Sequence, residues 1–153
     1  MVIKERVQLF TDGACKGNPG VGGWGALIES SYFTKELKGY EQLTTNNRME
    51  LIAVIEGVKS IEKNANIVIT TDSMYVKNGI SQWIDNWRKN DWKTSAKKPV
   101  KNKELWLELD KLVQNYSIEW KWVKGHSGHP GNERADQLAN AAISEFYSLE
   151  HSL

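Results

Sequence analysis

The spacing of the apolar residues changes near Asn46, and this change restricts the folds that the chain can adopt. Before that point the pattern predicts antiparallel hairpins with a Gly-rich bend over residues 13–23, and the predicted strands cover 6–11, 24–29 and 32–40. From Asn46 the apolar residues recur with helical spacing, and Thr44, Thr45 or Asn46 is available as the N-cap. A chain that begins as a β-meander therefore continues as a helix.

The second half of the chain alternates strands with helices. The continuous apolar run "NIVITTD" is typical of a strand buried on both faces, whereas "SIEWKWV" alternates as a half-buried strand does. Helices are predicted after Ser73, over 83–90, over 103–114 and from about Asn132. This order predicts an α/β fold: a single domain over residues 1–153, with its core at about 6–142, a five-stranded mixed sheet and helices on both faces.

Composition bears on where the protein works. The single cysteine, Cys15, cannot form an intramolecular disulfide, and the opening "MVIKERV" carries charges where a signal peptide needs an apolar run. We therefore expect a reducing, cytoplasmic setting. A membrane span needs about eighteen consecutive apolar residues. The sequence has no such run, so no membrane span is expected.

Charge is distributed unevenly along the chain. Seven basic residues and one acidic residue lie between Arg88 and Lys103, giving that segment a net charge of +6. The whole chain carries +1, so the remainder carries −5. A basic segment on an acidic body is expected of a protein that holds a polyanion in one place and collects metal ions in another.

Four carboxylates stand where apolar elements give way to Gly, Asn, Ser or His. They are Asp12, Glu50, Asp72 and Asp136, in the strings "LFTDGACKGNPG", "TTNNRMEL", "IVITTDSMYV" and "VKGHSGHPGNERAD". Taken singly, Asp12 and Asp72 would be ordinary turn residues. Taken together, acids that are scattered in sequence and gathered by a fold are typical of a site for hard divalent cations.

These four strings closely resemble the bacterial type 1 ribonuclease H family, and the resemblance runs from about Arg6 to about Ala142. It implies the ribonuclease H fold and a monomeric endonuclease that cuts the RNA strand of RNA–DNA hybrids, leaving 5′-phosphate and 3′-hydroxyl ends. The four acids would hold two Mg²⁺ ions, with Mn²⁺ able to substitute, and Asp12 would bridge them. Glu133 matches an auxiliary acidic position. Two such ions, about 3.5–4 Å apart, promote phosphodiester hydrolysis.

His126 lies in the loop "GHSGHPGNE". An imidazole that titrates near neutral pH can take or relay a proton, which suits water activation or product release. His129, before Pro130, is expected to be a structural loop residue. A zinc site is not expected, because the one cysteine is distant in sequence from these histidines.

The resemblance also assigns contacts with the hybrid. Minor-groove contacts are Cys15, Asn18, Asn46 and Asn47, and a pocket for a DNA-strand phosphate consists of Thr45, Arg48 and Asn102. A basic protrusion over about 83–103 would grip the DNA strand through Trp83, Trp87, Arg88, Lys89, Trp92, Lys93, Lys97 and Lys98. The alternative for this segment is a solvated charge run with core tryptophans, and that interpretation is preferred for Trp106, Trp120 and Trp122.

Two further features qualify the resemblance. Gly20, Gly22 and Gly25 satisfy a G-x-G-x-x-G pattern, but the following residues continue as a strand rather than a helix, so these glycines are expected to allow a tight turn and the close approach of a nucleic-acid backbone. Met74 stands where the family often has Gln, so this position lacks a side-chain N–H donor for the minor groove.

Two other functions stay open at this point. A module that binds hybrids without cutting them would be expected to lack at least one of the four acids, and all four are present. A different metal nuclease on the same fold, such as an integrase, a Holliday-junction resolvase or an exonuclease, would not be expected to carry both the basic segment and the His126 loop.

Overall fold

A computed structural model of the chain describes residues 5–125 and 128–151. Its strands are β1 (Arg6–Lys16), β2 (Gly20–Glu29), β3 (Thr34–Thr44), β4 (Asn66–Thr71) and β5 (Ser117–Trp122). Its helices are α1 (Asn46–Lys59), α2 (Met74–Asn78), α3 (Ile84–Lys89), α4 (Lys103–Asn115) and α5 (Pro130–His151), with a π-helical turn at Gly79–Trp83. The predicted alternation of strands and helices is confirmed.

The five strands form one mixed sheet in the order β3-β2-β1-β4-β5. The pairs β1–β2 and β2–β3 are antiparallel, as expected of a meander, whereas β1–β4 and β4–β5 are parallel. Strand β1 is central, and it pairs with β4 only as far as Phe10 and Thr70, although it stays paired with β2 up to Lys16. The sheet therefore opens between β1 and β4 just beyond Phe10.

Helices cover both faces of the sheet, as predicted. Successive residues of a strand point to opposite faces. On β1, Leu9 faces Gly57 of α1, whereas the next residue, Phe10, faces Gly131 of α5. The larger core lies on the α1 side and includes the fully buried Trp106 of α4, and a smaller cluster on the α5 side contains Phe10 and Ala135. Trp106 is thus a core residue, as expected.

The Gly-rich bend predicted over 13–23 is mostly strand, because only residues 17–19 form the turn between β1 and β2. A Cβ atom on Gly23 would lie 2.2 Å from the carbonyl oxygen of Ala139, and one on Gly25 would lie 2.5 Å from that of Ala135. These glycines let α5 pack directly against β2. The expectation that Gly25 admits a nucleic-acid backbone was therefore wrong, because α5 fills that space.

The predicted helix over 83–90 is one residue shorter at each end, because Trp83 belongs to the π-helical turn and Asn90 is the C-cap of α3. The helix predicted over 103–114 corresponds to α4, which extends by one residue. Strand β5 is half-buried, with Ile118, Trp120 and Trp122 facing the core. Among residues 5–125 and 128–151, no helix combines the length and the apolar character that crossing a bilayer requires.

Candidate functional site

The opening in the sheet places two of the predicted acids side by side. Asp12 lies on β1 two residues beyond its last pairing with β4, and Asp72 directly follows β4. The backbone N–H of Gly13 donates a hydrogen bond to Asp12 Oδ1 at 2.9 Å, which fixes this carboxylate. Ligands of open α/β sheets bind outside the carboxyl ends of strands where the strand order reverses, and this position meets that description.

Two helices bring the other acids to the same opening. Thr45 caps α1, accepting a hydrogen bond from the Arg48 N–H at 3.3 Å, and Glu50 lies in the first turns of that helix. Carboxylate oxygens of Asp12, Glu50 and Asp72 lie within 4.8 Å of one another. Asp136 of α5 lines the same pocket of about 160 Å³, so the structure gathers all four predicted acids.

Burial and mutual repulsion change the acidity of this group. Burial, a hydrogen bond with Asp136 and the charge of Asp72 raise the pKa of Asp12 from its ordinary value of 3.8 to about 8. Burial and the charges of Asp12 and Asp72 also raise the pKa of Glu50 well above its ordinary value. The carboxylates therefore bind protons readily when no cation is present to offset their charge.

The residues of the pocket suit a divalent cation. One carboxylate oxygen of Glu50, Oε2, is buried without a hydrogen-bond partner in the described part of the chain. Within that same part, no lysine or arginine lines the pocket. A cluster of hard oxygen ligands that lacks a cationic side chain is typical of a site for a hard divalent cation.

Sequence reasoning missed Asn132, which is buried in the same pocket. Its side-chain oxygen has no hydrogen-bond partner among the described residues. Asn132 precedes Asp136 by one helical turn on α5, and residues four apart share a helix face. That spacing was the available signal. Glu133, the predicted auxiliary acid, is more exposed and also lines the pocket.

The two loop histidines can be described only in part. His126 lies outside the described residues, so its predicted role stays a prediction. His129 contacts Phe10, with ring centroids 5.4 Å apart, and its Nδ1 accepts a hydrogen bond from the Asn132 N–H at 3.4 Å. These contacts support the structural role expected for His129.

The residues predicted to contact the minor groove lie near the junction of β1, β2 and α1. Asn18 Oδ1 accepts a hydrogen bond from the Asn46 N–H at 2.9 Å, which ties the β1–β2 turn to the start of α1. The Cys15 thiol donates toward the Thr44 carbonyl oxygen at 3.4 Å and is only partly buried. Asn47 is exposed beside Asn46. These side chains thus form one polar surface next to the acidic pocket.

Arg48 and Asn102, from the predicted phosphate pocket, are in contact. The Arg48 guanidinium donates from Nη1 to Asn102 Oδ1 at 3.4 Å and to Glu104 Oε1 at 2.5 Å. Its Nε lies 3.5 Å from Glu41 Oε1. The Asn102 amide donates to the Tyr75 hydroxyl at 3.1 Å. Sequence reasoning missed both acids. Glu104 lies 56 positions from Arg48, and Glu41, although close in sequence, lies on β3 and not on the helix of Arg48, so neither pair leaves a local pattern.

The tryptophans of the basic segment form a chain of ring contacts. Centroid distances are 5.7 Å for Trp83–Trp87, 6.1 Å for Trp87–Trp92 and 5.2 Å for Trp87–Trp106. Trp87 and Trp92 also pack against the main core. Each of the three predicted contact tryptophans keeps part of its surface exposed. They can therefore anchor the segment and still present an aromatic face.

The charged residues of this segment fall into two groups. Arg88 is held by carboxylates: Nε donates to both oxygens of Asp110 at 3.0 and 3.1 Å, and Nη1 donates to Asp85 at 2.8 Å. The lysines are exposed, and they are Lys89, Lys93, Lys97 and Lys98. Lys93 lies 3.9 Å from Asp91 Oδ2 in a loose, exposed pair. The lysines are thus available to a polyanion, whereas the guanidinium of Arg88 is held by several hydrogen bonds.

The chain is similar to proteins of one family over nearly its whole length. The sequence model described as RNase H matches residues 4–144. A protein named Ribonuclease H from Hydrogenovibrio crunogenus is 61% identical over 141 residues, which are 92% of this chain and 97% of that protein. Ribonuclease HI from Neisseria meningitidis serogroup A is 58% identical over 144 residues, covering 94% of this chain and 99% of that protein.

Solved structures give the same result for the fold. LC9-RNase H1, described as a type 1 RNase H with the type 2 active-site motif, is 34% identical with a TM-score of 0.84, covering 95% of this chain and 75% of that chain. LC11-RNase H1 in complex with RNA/DNA hybrid is 22% identical with a TM-score of 0.70, covering 92% and 99%. The second likeness concerns the fold alone, and both agree with the sheet order described above.

Proposed function

Because this chain belongs to the bacterial type 1 ribonuclease H family, we propose that it hydrolyses the RNA strand of RNA–DNA hybrids and leaves 5′-phosphate and 3′-hydroxyl ends. The observation that carries the proposal is the pocket in which Asp12, Glu50, Asp72 and Asp136 meet at the opening of the sheet. A hybrid-binding module without catalysis would have no need for four converging acids.

The residues that would hold two divalent cations, Mg²⁺ or Mn²⁺, are Asp12, Glu50, Asp72 and Asp136. When bound, such ions lower the pKa of water, orient the phosphate and stabilise the leaving oxygen. The chain's own contribution is to collect the carboxylates on rigid elements, with Gly13 orienting Asp12 and the Thr45 cap fixing the start of the helix that carries Glu50. Asn140 donates to Asp136 Oδ1 at 3.3 Å and orients it in the same way.

Proton movement in this proposal falls to His126, which would take or relay a proton as the RNA strand is cut. Glu133, exposed at the rim of the pocket, would assist as an auxiliary acid. The pocket is small and polar, so it suits a phosphodiester better than an apolar ligand. Asn132 would donate or accept a hydrogen bond at its floor.

Beyond the acidic pocket, three groups of residues would bind the substrate. Cys15, Asn18, Asn46 and Asn47 would lie along the minor groove, where small polar groups can detect a 2′-hydroxyl. Thr45, Arg48 and Asn102 would bind a DNA-strand phosphate. The basic protrusion would grip the DNA strand with exposed lysines and partly exposed tryptophans, which are Trp83, Trp87, Lys89, Trp92, Lys93, Lys97 and Lys98. We also propose that the protein acts as a monomer in the cytoplasm.

The proposal is tested with four labelled substrates: an RNA–DNA hybrid, double-stranded RNA, single-stranded RNA and double-stranded DNA. With Mg²⁺ only the hybrid should be cut, and EDTA should stop the reaction. Ca²⁺ should not support turnover, because its larger and looser coordination shell does not impose octahedral geometry. Cleavage of double-stranded DNA, or equal cleavage of double-stranded RNA, contradicts the proposal.

The ends of the products test the chemistry separately. A DNA polymerase should extend the cleaved RNA directly, which requires a free 3′-hydroxyl. An exonuclease that requires a 5′-phosphate should digest the downstream fragment without prior kinase treatment. Products that need phosphatase treatment before extension would carry 3′-phosphates, and that result would exclude the proposed end chemistry while leaving hybrid specificity intact.

A further inference from the structure

The arginine of the proposed phosphate pocket is enclosed by acids of its own chain. Arg48 contacts Glu104 at 2.5 Å, Asn102 at 3.4 Å and Glu41 at 3.5 Å. Two carboxylates around one guanidinium give the three ionised groups a net charge of −1. A phosphate that approaches Arg48 therefore meets a guanidinium already neutralised, unlike the exposed lysines of the basic protrusion.

Glu104 presents to Arg48 the same kind of group that a phosphate would present. Carboxylate and phosphate oxygens both accept short, charge-assisted hydrogen bonds from guanidinium N–H donors. The hydrogen bond from Arg48 lowers the pKa of Glu104, so this side chain stays ionised at neutral pH. Nη1 of Arg48 is consequently engaged by an anionic oxygen in the free protein.

The partners of Arg48 differ in how firmly they are held. Asn102 is fixed, because its amide donates to Tyr75, and the Tyr75 hydroxyl also accepts a hydrogen bond from the fully buried Trp106 at 2.9 Å. Glu104 has a side chain that is 65% exposed, and Arg48 has one that is 28% exposed. Glu104 can therefore rotate into water and leave Arg48 and Asn102 in place.

We propose that the Glu104 carboxylate is an internal competitor of the substrate phosphate: it holds Arg48 in the free protein and is displaced when the DNA strand binds. This inference rests on the phosphate pocket of the proposed function. Glu104 would limit the affinity for any isolated phosphate, so that only a hybrid with many simultaneous contacts displaces it. It would thus determine how strongly the enzyme discriminates between full-length hybrids and short or singly anchored nucleic acids.

The test is Glu104→Gln, which removes the charge and keeps the size. The matched control is Glu108→Gln, because Glu108 lies one turn further along α4 and pairs with Lys59 at 3.4 Å. Hybrid affinity is measured by fluorescence anisotropy in an Asp12→Asn background, and KM and kcat are measured with Asp12 intact. Exposed ion pairs are weak, so Glu104→Gln should tighten Kd and lower KM by about two- to five-fold relative to Glu108→Gln, with kcat unchanged.

Arg48→Ala separates the inference from the proposed function. It should weaken hybrid binding, and in its presence Glu104→Gln should behave like Glu108→Gln. If Arg48→Ala weakens binding but Glu104→Gln has no effect, or weakens binding, Glu104 is a positioning residue and the inference is wrong. If Arg48→Ala leaves binding unchanged, the phosphate pocket itself is wrong. Hybrid cleavage by the wild type is measured in parallel and tests the enzyme activity independently.

Discussion

The acidic pocket and the basic protrusion differ in the sign of their charged side chains and in whether those side chains have partners of opposite charge. In the pocket four carboxylates converge, and no lysine or arginine lines it within residues 5–125 and 128–151. In the basic protrusion Arg88 has carboxylate partners in Asp85 and Asp110, and the neighbouring arginine of the phosphate pocket, Arg48, is also paired. The lysines between Lys89 and Lys98 are exposed instead.

This difference separates charges that stabilise the fold from charges that await a ligand. A buried anion without a cationic partner is costly. Burial raises the pKa of such a group, so it binds a proton unless a metal ion offsets its charge. The raised pKa values of Asp12 and Glu50 indicate such a cost. Paired arginines carry no comparable cost. The unpaired acids and the exposed lysines should therefore act on cations and nucleic acid directly, Arg48 should do so only after Glu104 is displaced, and Arg88 should mainly stabilise the fold. Substitutions can test that division.

The largest effect is expected for Asp12→Asn, which removes the charge of a proposed metal-binding carboxylate at nearly constant shape. Cleavage should fall on the order of a thousand-fold, because a preorganised group that stabilises the transition state is lost. Hybrid affinity should change little. Single-turnover cleavage and anisotropy binding are measured on the same preparation. Glu133→Gln, at the auxiliary position on the pocket rim, should reduce cleavage far less than Asp12→Asn. A near-normal cleavage rate in Asp12→Asn would remove this residue from the mechanism.

A second effect concerns stability of the metal-free protein. The pKa of Asp12 is raised from 3.8 to about 8. Between pH 3.8 and about pH 8, therefore, Asp12 keeps its proton in the folded chain and has lost it in the unfolded chain. Unfolding free energy should therefore fall as pH rises through this window, by at most about 1.4 kcal/mol per pH unit for one proton. Thermal unfolding in EDTA at several pH values measures the slope.

The same experiment has two internal controls. Added Mg²⁺ should flatten the slope, because cation binding favours the deprotonated carboxylates. Asp12→Asn should also flatten it, since the substituted residue does not titrate. A metal-free wild-type protein that gains stability from about pH 5 to about pH 8 would show that the pocket does not carry the expected repulsion.

The sequence predicted features that depend on residues close together along the chain better than features that depend on residues far apart along it. The run "NIVITTD" and the helical spacing after Asn46 are local patterns, and both elements were predicted. The acidic pocket was also predicted, because each acid stands in a recognisable string and the fold collects them. Asn132 was missed, although its spacing of four from Asp136 was visible.

Other features could not be read from the sequence. Residues 13–16 and 20–23 have little strand propensity, yet they are strands whose glycines lie against neighbouring helices: Gly13 and Gly22 against Met49 of α1, and Gly23 against Ala139 of α5. Arg48 meets Glu104 across 56 positions, and Arg88 meets Asp110 across 22. No periodicity encodes such pairs, so a basic residue in a basic run gives no sign of whether tertiary structure has already neutralised it.

A smaller effect is expected when the exposed lysines are removed together. Alanine at Lys89, Lys93, Lys97 and Lys98 should raise KM by about ten-fold and change kcat much less. Each lost phosphate contact should flatten the slope of log K against log salt concentration by roughly 0.9, if B-DNA behaviour carries over to the hybrid. The control variant has the same charge change at exposed positions elsewhere: Lys35, Lys63, Lys111 and Lys121. Equal salt slopes for both variants would mean that the basic protrusion is only a solvated charge run.

The smallest expected effect on substrate binding is that of Arg88→Ala, although Arg88 lies in the same basic run. Its guanidinium holds Asp110, which is only 8% exposed. Truncation therefore leaves a buried carboxylate whose remaining hydrogen-bond donor, among the residues that the structure describes, is Gln114 at 3.3 Å. Unfolding free energy should fall by about 1–2 kcal/mol, while the salt slope of hybrid binding stays as in the wild type. Lys89→Ala should give the reverse pattern, with a flatter salt slope and unchanged stability.

Urea unfolding measures the stability of these variants, and salt-dependent anisotropy measures the salt slope of their hybrid binding. Arg88→Ala combined with Asp110→Asn should recover part of the lost stability. A flattened salt slope in Arg88→Ala would show that Arg88 leaves Asp110 to bind phosphate, and the division between Arg88 and the exposed lysines would not hold.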